Sequence, residues 1–170
     1  MKSGDTNSEM NPTEALRAAV ALRNGLLAWE ASDEFVGTSQ LAKAFRDDWD
    51  RRIGTLKFGG VWSIGKARQN LRHPYSKQAS LVLRSSWNSS NVTVEHAVPV
   101  TRMFWEFRSA DTDAKMTTLI EAYQVAVVTR EEDNLLRAAG FSRSMPEGWQ
   151  IGRDDPQERW KRVGIEVETA

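Results

Sequence analysis

The sequence contains no cysteine at all. This absence excludes a disulfide framework and a thiolate zinc site, so any bound metal must be held by carboxylate, imidazole or amide groups. A chain without cysteine also suits a reducing compartment, and we therefore expect a cytoplasmic protein. Histidine is scarce too, because His73 and His96 are the only two. Few residues are thus candidates for hydrolytic chemistry.

Long hydrophobic runs are absent as well. Residues 1–10 are polar and lack the apolar segment of a signal peptide. The apolar runs elsewhere fall far short of the roughly 20 residues that cross a membrane. We expect a disordered leader over residues 1–10, a single compact domain over residues 11–170 and no membrane contact. No P-loop, dinucleotide-binding glycine pattern, HExxH or serine-nucleophile motif is present.

Acidic residues are missing from residues 51–94, although the net charge of the chain is zero. We call this segment the basic band, and its eight cationic residues are Arg51, Arg52, Lys57, Lys66, Arg68, Arg72, Lys77 and Arg84. The flanks are acidic, with nine acids against five bases before the band and fourteen against ten after it. Such a band favours a polyanion, and we expect a nucleic acid or a nucleoprotein complex as the partner. The alternative is a solvated face whose charges pair with flanking acids such as Asp47, Asp48 and Asp50.

The first half of the chain predicts helices. Asn11 as a cap and Pro12 at the first helical position begin a helix that runs to about residue 29. Thr38 or Ser39 caps a second helix that ends near Gly54, so residues 11–54 form a helical hairpin. Residues 55–91 form the basic helical segment, with a glycine-rich loop over 55–65 and short helices over 66–71 and 76–87.

The second half predicts two strands among further helices. Residues 92–100 alternate in polarity, which puts Val92, Val94 and His96 on one face and Glu95 on the other. A second strand covers residues 125–128, after helices near 103–107 and 113–123. A capping box of Thr129 and Glu132 begins a helix over 130–139, and residues 141–170 are rich in loops, with a short helix near 157–163.

The predicted fold class is α+β and mostly helical. The N-terminal helical hairpin and the basic helical segment are followed by a small two- or three-stranded sheet with helices.

The first predicted strand carries the sequence Glu95-His96-Ala97-Val98-Pro99. This acid-His-x-x-Pro pattern resembles the first strand of HNH-type or His-Me finger endonucleases. The resemblance implies that residues 92–140 form a strand and helix unit in which Glu95 binds a divalent metal and His96 activates the attacking water. Mg²⁺ or Mn²⁺ is the implied cofactor, and a helix after the second strand supplies a further ligand. That helix has no histidine, which the family carries there, and Asp133 is the closest substitute.

Other residues allow two interpretations each. His96 is either this catalytic base or a half-buried histidine that hydrogen-bonds locally. His73 is either one more phosphate donor of the basic band or a solvated residue, while Lys66, Arg68 and Arg72 lie near one side of a short helix and are suited to meet phosphate together. Trp62 and Trp87 either stack on unpaired bases or pack in the core.

These features support one leading hypothesis and two alternatives. The leading hypothesis is a nucleic-acid-binding protein with a degenerate HNH-like unit that acts as a metal-dependent endonuclease. The first alternative is a non-catalytic phage or mobile-element protein that binds a nucleic acid or a nucleoprotein complex and regulates or inhibits it. The second is an oligomeric structural protein whose basic band meets the acidic flanks of its neighbour.

Overall fold

The structure is a computed structural model that describes residues 10–35, 37–59, 63–69 and 73–168. Most of the predicted leader, together with Trp62 and Arg72, lies outside the described residues. The helices are α1 (Pro12–Glu30), α2 (Thr38–Phe58), α3 (Ile64–Gln69), α4 (Lys77–Ser80), α5 (Val100–Ser109), α6 (Asp113–Ala122), α7 (Arg130–Ala138) and α8 (Glu158–Arg162). The strands are β1 (Tyr75–Ser76), β2 (Val92–His96), β3 (Val125–Thr129) and β4 (Val167–Glu168), and a 3-10 turn covers Arg84–Ser86. The predicted α+β, mostly helical class is confirmed.

Helices α1 and α2 pack against each other as the predicted hairpin. Asn11 caps α1, because its side-chain oxygen accepts hydrogen bonds from two backbone amides of the first turn. Neither Thr38 nor Ser39 caps α2 as predicted, because Thr38 is already its first helical residue and Gly37 occupies the cap position. The helix does not end at Gly54 either, since Leu56 and Phe58 add further apolar side chains to the same core. Gly59, whose φ of 73° is left-handed, ends the helix instead.

The four described strands form one mixed sheet in the order β2-β3-β1-β4. Strands β2 and β3 are antiparallel, β1 is parallel to β3, and β4 is antiparallel to β1. Strand β2 ends at His96, four residues before the predicted end. Pro99 lacks a backbone amide for the ladder and precedes the first residue of α5. The short strands β1 and β4 carry too few residues for an alternation pattern, so the sequence did not predict them.

Among the described residues, three groups of buried side chains hold the elements together. The largest joins α1, α2, α5 and α6 and includes Val125 of β3. A second lies on the opposite face of the sheet, where Leu136 of α7 and Trp160 of α8 meet β3. A third places α3 and α4 against β2 and β3. Val94 packs against both the first and the third groups, so their junction lies at the middle of β2.

The segment between β1 and β2 is less helical than predicted. Ser76 caps α4, but the helix stops at Ser80 and does not continue to Trp87. The hydroxyl of Ser86 donates to the carbonyl of Leu83 over 2.6 Å, a local bond that competes with helical hydrogen bonding. The capping box that begins α7 is formed as predicted. Within the described ranges, no helix combines the length and apolar character needed to cross a membrane.

Candidate active site

His96 lies at the end of β2 and faces the helical hairpin. It pairs in register with Val125, and the alternation of β2 puts it on the same face as Val92 and Val94, as predicted. Because Val94 and Val125 pack against the core that contains α2, this face is turned towards α2. Glu95 lies on the opposite face, so two adjacent residues of the motif have different surroundings.

Asp50 of α2 and Tyr123, which follows α6, form a hydrogen-bonded group with His96. Nε2 of His96 lies 2.9 Å from Oδ1 of Asp50, and the Tyr123 hydroxyl donates to the same oxygen over 2.7 Å. A carboxylate only accepts hydrogen bonds, so this contact places the proton of a neutral His96 on Nε2. The lone pair then lies on Nδ1, the nitrogen that can act as a base.

Tyr123 holds the Asp50 carboxylate from the core side. Burial raises the pKa of the Tyr123 hydroxyl well above its ordinary value, and the charge and hydrogen bond of Asp50 raise it further. The hydroxyl therefore stays protonated and remains a donor at physiological pH. The Tyr123 ring packs edge-on against Trp49, with centroids 6.0 Å apart, and lies 5.9 Å from the His96 ring. This packing fixes the direction in which the hydroxyl points.

An open cavity of about 390 Å³ between α2 and the sheet adjoins this group. The residues that line it are Arg46, Asp47, Asp50, Arg51, Val94, His96, Tyr123 and Val125. The side chains of His96 and Asp50 are only 17% and 14% exposed, which places them deep in the cavity. Val94, Val125 and the Tyr123 ring add an apolar lining to this depth.

Two arginines stand at the mouth of the cavity. The side chains of Arg46 and Arg51 are 50% and 63% exposed. Arg46 pairs with Asp47 and Arg51 with Asp48, which are two of the flanking acids named as partners for the basic band. Exposed pairs of this kind contribute about 0–1 kcal/mol each, so an entering anion can exchange with the carboxylates.

Arg159 of α8 fixes the backbone at the end of β2. The residue is fully buried, and its Nε donates to the carbonyl of Ala97 over 2.8 Å, while Nη1 donates to that of Phe141. Nη2 donates to the carbonyl of His96 and forms an ion pair with Glu95. A planar guanidinium with five donors suits such a divergent set of acceptors. The position of His96 thus depends on a side chain 63 residues further along the chain.

The two predicted metal ligands are each engaged by arginine. Glu95 pairs with the buried arginine of α8, on the face opposite His96. Asp133 accepts a hydrogen bond from Arg137 over 2.7 Å and lies 3.5 Å from Arg130. Among the residues that the structure describes, no three histidine or acidic side chains are grouped to hold a metal. As placed, these donors do not fit the Mg²⁺ or Mn²⁺ site that the resemblance implies, and the metal requirement stays a prediction.

The basic band is only partly exposed. Four of its cationic residues on α2 and α3 lie at the surface: Arg51, Arg52, Lys66 and Arg68. Arg68 also donates to a backbone carbonyl of the third core over 3.4 Å. Lys77 is exposed but forms an ion pair with Glu166, which raises the pKa of Lys77. Two of the predicted nucleic-acid contacts, Arg51 and Lys77, therefore pair with flanking acids, as the alternative interpretation of the basic band expects.

Lys57 is turned into the protein. Its Nζ donates to the carbonyls of Ile120 and Tyr123, each over 2.7 Å, and so satisfies the end of α6. Burial lowers the pKa of Lys57 to about 8, against the opposing effect of Glu121. Although Lys57 was predicted to contact nucleic acid, its ammonium faces these carbonyls rather than a surface ligand.

Two further residues of the basic band are buried, and a third stacks on aromatic rings of the third core. His73 is fully buried, with Nδ1 2.7 Å from the carbonyl of the next residue, so it is not presented as a phosphate donor at the surface. Trp87 is also buried and donates to a backbone carbonyl over 3.1 Å, which confirms core packing for this tryptophan. The Arg84 guanidinium stacks over the rings of Tyr75 and Trp87.

The partners of His96 were not predicted from the sequence. Asp50 stood out only as an acid beside the basic band, Tyr123 was only the last residue of a predicted helix, and nothing in the sequence singled out Arg159. Their contacts with His96 span 46, 27 and 63 residues. The one available signal was the place of Asp50 on α2, next to the buried Trp49 and therefore at the border of the apolar face. No known protein family, curated protein or solved structure matches this chain.

Proposed function

We propose that this protein binds nucleic acid and that His96 acts as the general base in hydrolysis of a phosphodiester. The observation that carries the proposal is the contact between His96 Nε2 and Asp50 Oδ1 at 2.9 Å, inside an open cavity with two arginines at its mouth. The carboxylate orients the imidazole and stabilises the cation that forms when Nδ1 takes up a proton. The arrangement therefore supplies a base together with cations for phosphate.

In the proposed step, Nδ1 of His96 takes a proton from water while the water oxygen attacks phosphorus. The bond from phosphorus to the leaving sugar oxygen breaks, and that oxygen takes up a proton from the His96 imidazolium or from solvent. Arg46 and Arg51 exchange their aspartate partners for phosphate oxygens, to which arginine makes strong, directional hydrogen bonds. Arg52 on α2 and Lys66 and Arg68 on α3 are exposed as well and offer further cations to a polyanion.

Cleavage assays test the catalytic part of this proposal. Supercoiled plasmid and single-stranded RNA are incubated with the protein in Mg²⁺, in Mn²⁺ or in EDTA. We expect His96→Ala and Asp50→Asn to lower the cleavage rate by about 100- to 10,000-fold, the usual contribution of a positioned base. Asp111→Asn, which changes an exposed carboxylate before α6, is the matched control and should leave the rate unchanged. Activity that survives His96→Ala, or a wild type that cleaves nothing in any of the three conditions, would remove His96 from catalysis.

A second candidate is a non-catalytic protein that binds a nucleoprotein complex. Its support is an apolar surface beside the basic one: Leu81 and Leu83 are 78% and 73% exposed next to the cationic Arg84. A nucleic acid alone offers little apolar surface, whereas a protein within the complex can cover leucines. The ion pairs of Glu95 and Asp133 also favour this candidate, since they occupy the expected metal ligands.

The salt dependence of binding measures how much of the affinity comes from contacts with phosphate. Phosphate neutralisation releases counterions, so the logarithm of the affinity should fall linearly with the logarithm of salt concentration. For the second candidate we expect this slope without cleavage, and Leu81→Ser with Leu83→Ser should weaken binding to the complex but not to bare nucleic acid. A flat response to salt would exclude a polyanion as ligand of either candidate.

A further inference from the structure

We infer that the cavity at His96 takes an unpaired nucleotide, so that the ligand is a single strand rather than an intact duplex; this inference rests on the function proposed above. The first observation is the depth of His96. Its side chain is 17% exposed and is in contact with Asp50 of α2 and with Tyr123. A phosphate reaches Nδ1, directly or through one water, only if its nucleotide enters the cavity.

A duplex does not satisfy this condition. Its bases are stacked and paired, and it stays straight over about 150 base pairs, so the backbone remains on the outside of a stiff rod. Such a rod can contact Arg46 and Arg51 at the mouth, but its phosphates do not reach between α2 and the sheet. A single strand bends at every nucleotide and can turn one residue inwards.

The lining matches the two parts of a nucleotide. Val94, Val125 and the Tyr123 ring offer apolar surface in the depth, which suits the face of a base. The two arginines at the mouth suit the phosphates of the neighbouring nucleotides, while the phosphate of the inserted nucleotide lies beside His96. The volume of about 390 Å³ is near the lower end of small-ligand cavities, roughly 300–1,000 Å³, and is therefore suited to one nucleotide.

Binding and histidine signals together test this inference. Fluorescence anisotropy compares labelled single strands of DNA and RNA, of about 12 nucleotides, with the duplex of the same sequence. We expect single strands to bind about tenfold or more tightly than the duplex, since stacking of one unpaired base alone is worth that factor. Arg51→Gln should weaken single-strand binding about threefold to tenfold, whereas Arg17→Gln, an exposed arginine of α1, should have no effect.

Nuclear magnetic resonance of the imidazoles shows whether the strand reaches the base. The chain has two histidines, and the fully buried His73 serves as an internal reference for His96. We expect single strands to shift the His96 signals and the duplex to leave them in place. Equal affinity for the duplex, or single-strand binding without a shift at His96, would overturn the inference and leave nucleic-acid binding intact. No binding to any of the three probes would overturn the proposed function, and this inference with it.

Discussion

Replacing Arg159 with methionine tests whether the buried guanidinium holds the end of β2. The substitution keeps much of the apolar side-chain volume but removes every donor. The carbonyls of His96, Ala97 and Phe141 then lose a partner, and Glu95 loses its cation. Removing one member of a buried ion pair costs about 3–5 kcal/mol, and each unsatisfied buried acceptor about 1–3 kcal/mol. These costs are not additive, because one guanidinium serves all four acceptors, and Glu95 is 20% exposed and keeps some contact with water. We therefore expect a loss of about 4 kcal/mol, close to the cost of the ion pair alone.

Urea unfolding followed by circular dichroism measures this loss, and Arg162→Met provides the control. Arg162 lies on the same helix, but it is exposed and pairs with Glu158 one turn earlier, so its replacement should change the unfolding free energy by less than about 0.5 kcal/mol. Arg159→Lys keeps the charge without the planar fork and should fall between the two. If Arg159→Met lost no more stability than Arg162→Met, the guanidinium would not be the residue that fixes β2.

Two further predictions concern stability. Folded Lys57 releases its proton near pH 8 and the unfolded chain near 10.5, so stability should rise with pH in this window. We therefore expect the difference in unfolding free energy between wild type and Lys57→Met to shift by about 3 kcal/mol in favour of wild type between pH 7 and 10.5. A shift below about 1 kcal/mol would contradict the burial of Lys57. Gly152 and Gly148 share a φ of 76°, but a Cβ on Gly152 alone would lie 2.6 Å from Thr118 Cγ2. Thermal unfolding should show Gly152→Ala losing about 1–3 kcal/mol more than Gly148→Ala, and equal losses would refute the clash.

Local chemistry made two helix starts, those of α1 and α7, predictable from the sequence. The Asn11 cap and the capping box of Thr129 and Glu132 depend on residues within three positions of one another, and both form as predicted. Helix ends that depend on packing were harder to predict from the sequence. Gly54 looked like an exit, yet it is buried within α2, because the side chains that follow it complete the core.

The residues that contact His96 could not be predicted from local sequence. The alternation of β2 predicted the face of His96 correctly, but Asp50 and Tyr123 reach that face only through the packing of α2 and α6. The sequence predicted Lys57 as a surface cation and His73 as a surface donor or a solvated residue, although Lys57 caps a helix and His73 is fully buried. Composition reports how many charges a segment has, whereas burial decides which of them meet solvent.

The sheet itself decides which carboxylate serves His96. Glu95 is its neighbour in the chain, but successive side chains of a strand point to opposite faces, and Glu95 is neutralised by Arg159 on the far side. Asp50 reaches the imidazole from α2 on the near side and is held there by Tyr123. The acid of the acid-His sequence thus anchors the strand, while a distant acid orients the histidine. The same ion pair that withdraws Glu95 from metal binding also positions the backbone of His96, so stability and site geometry depend on one buried arginine.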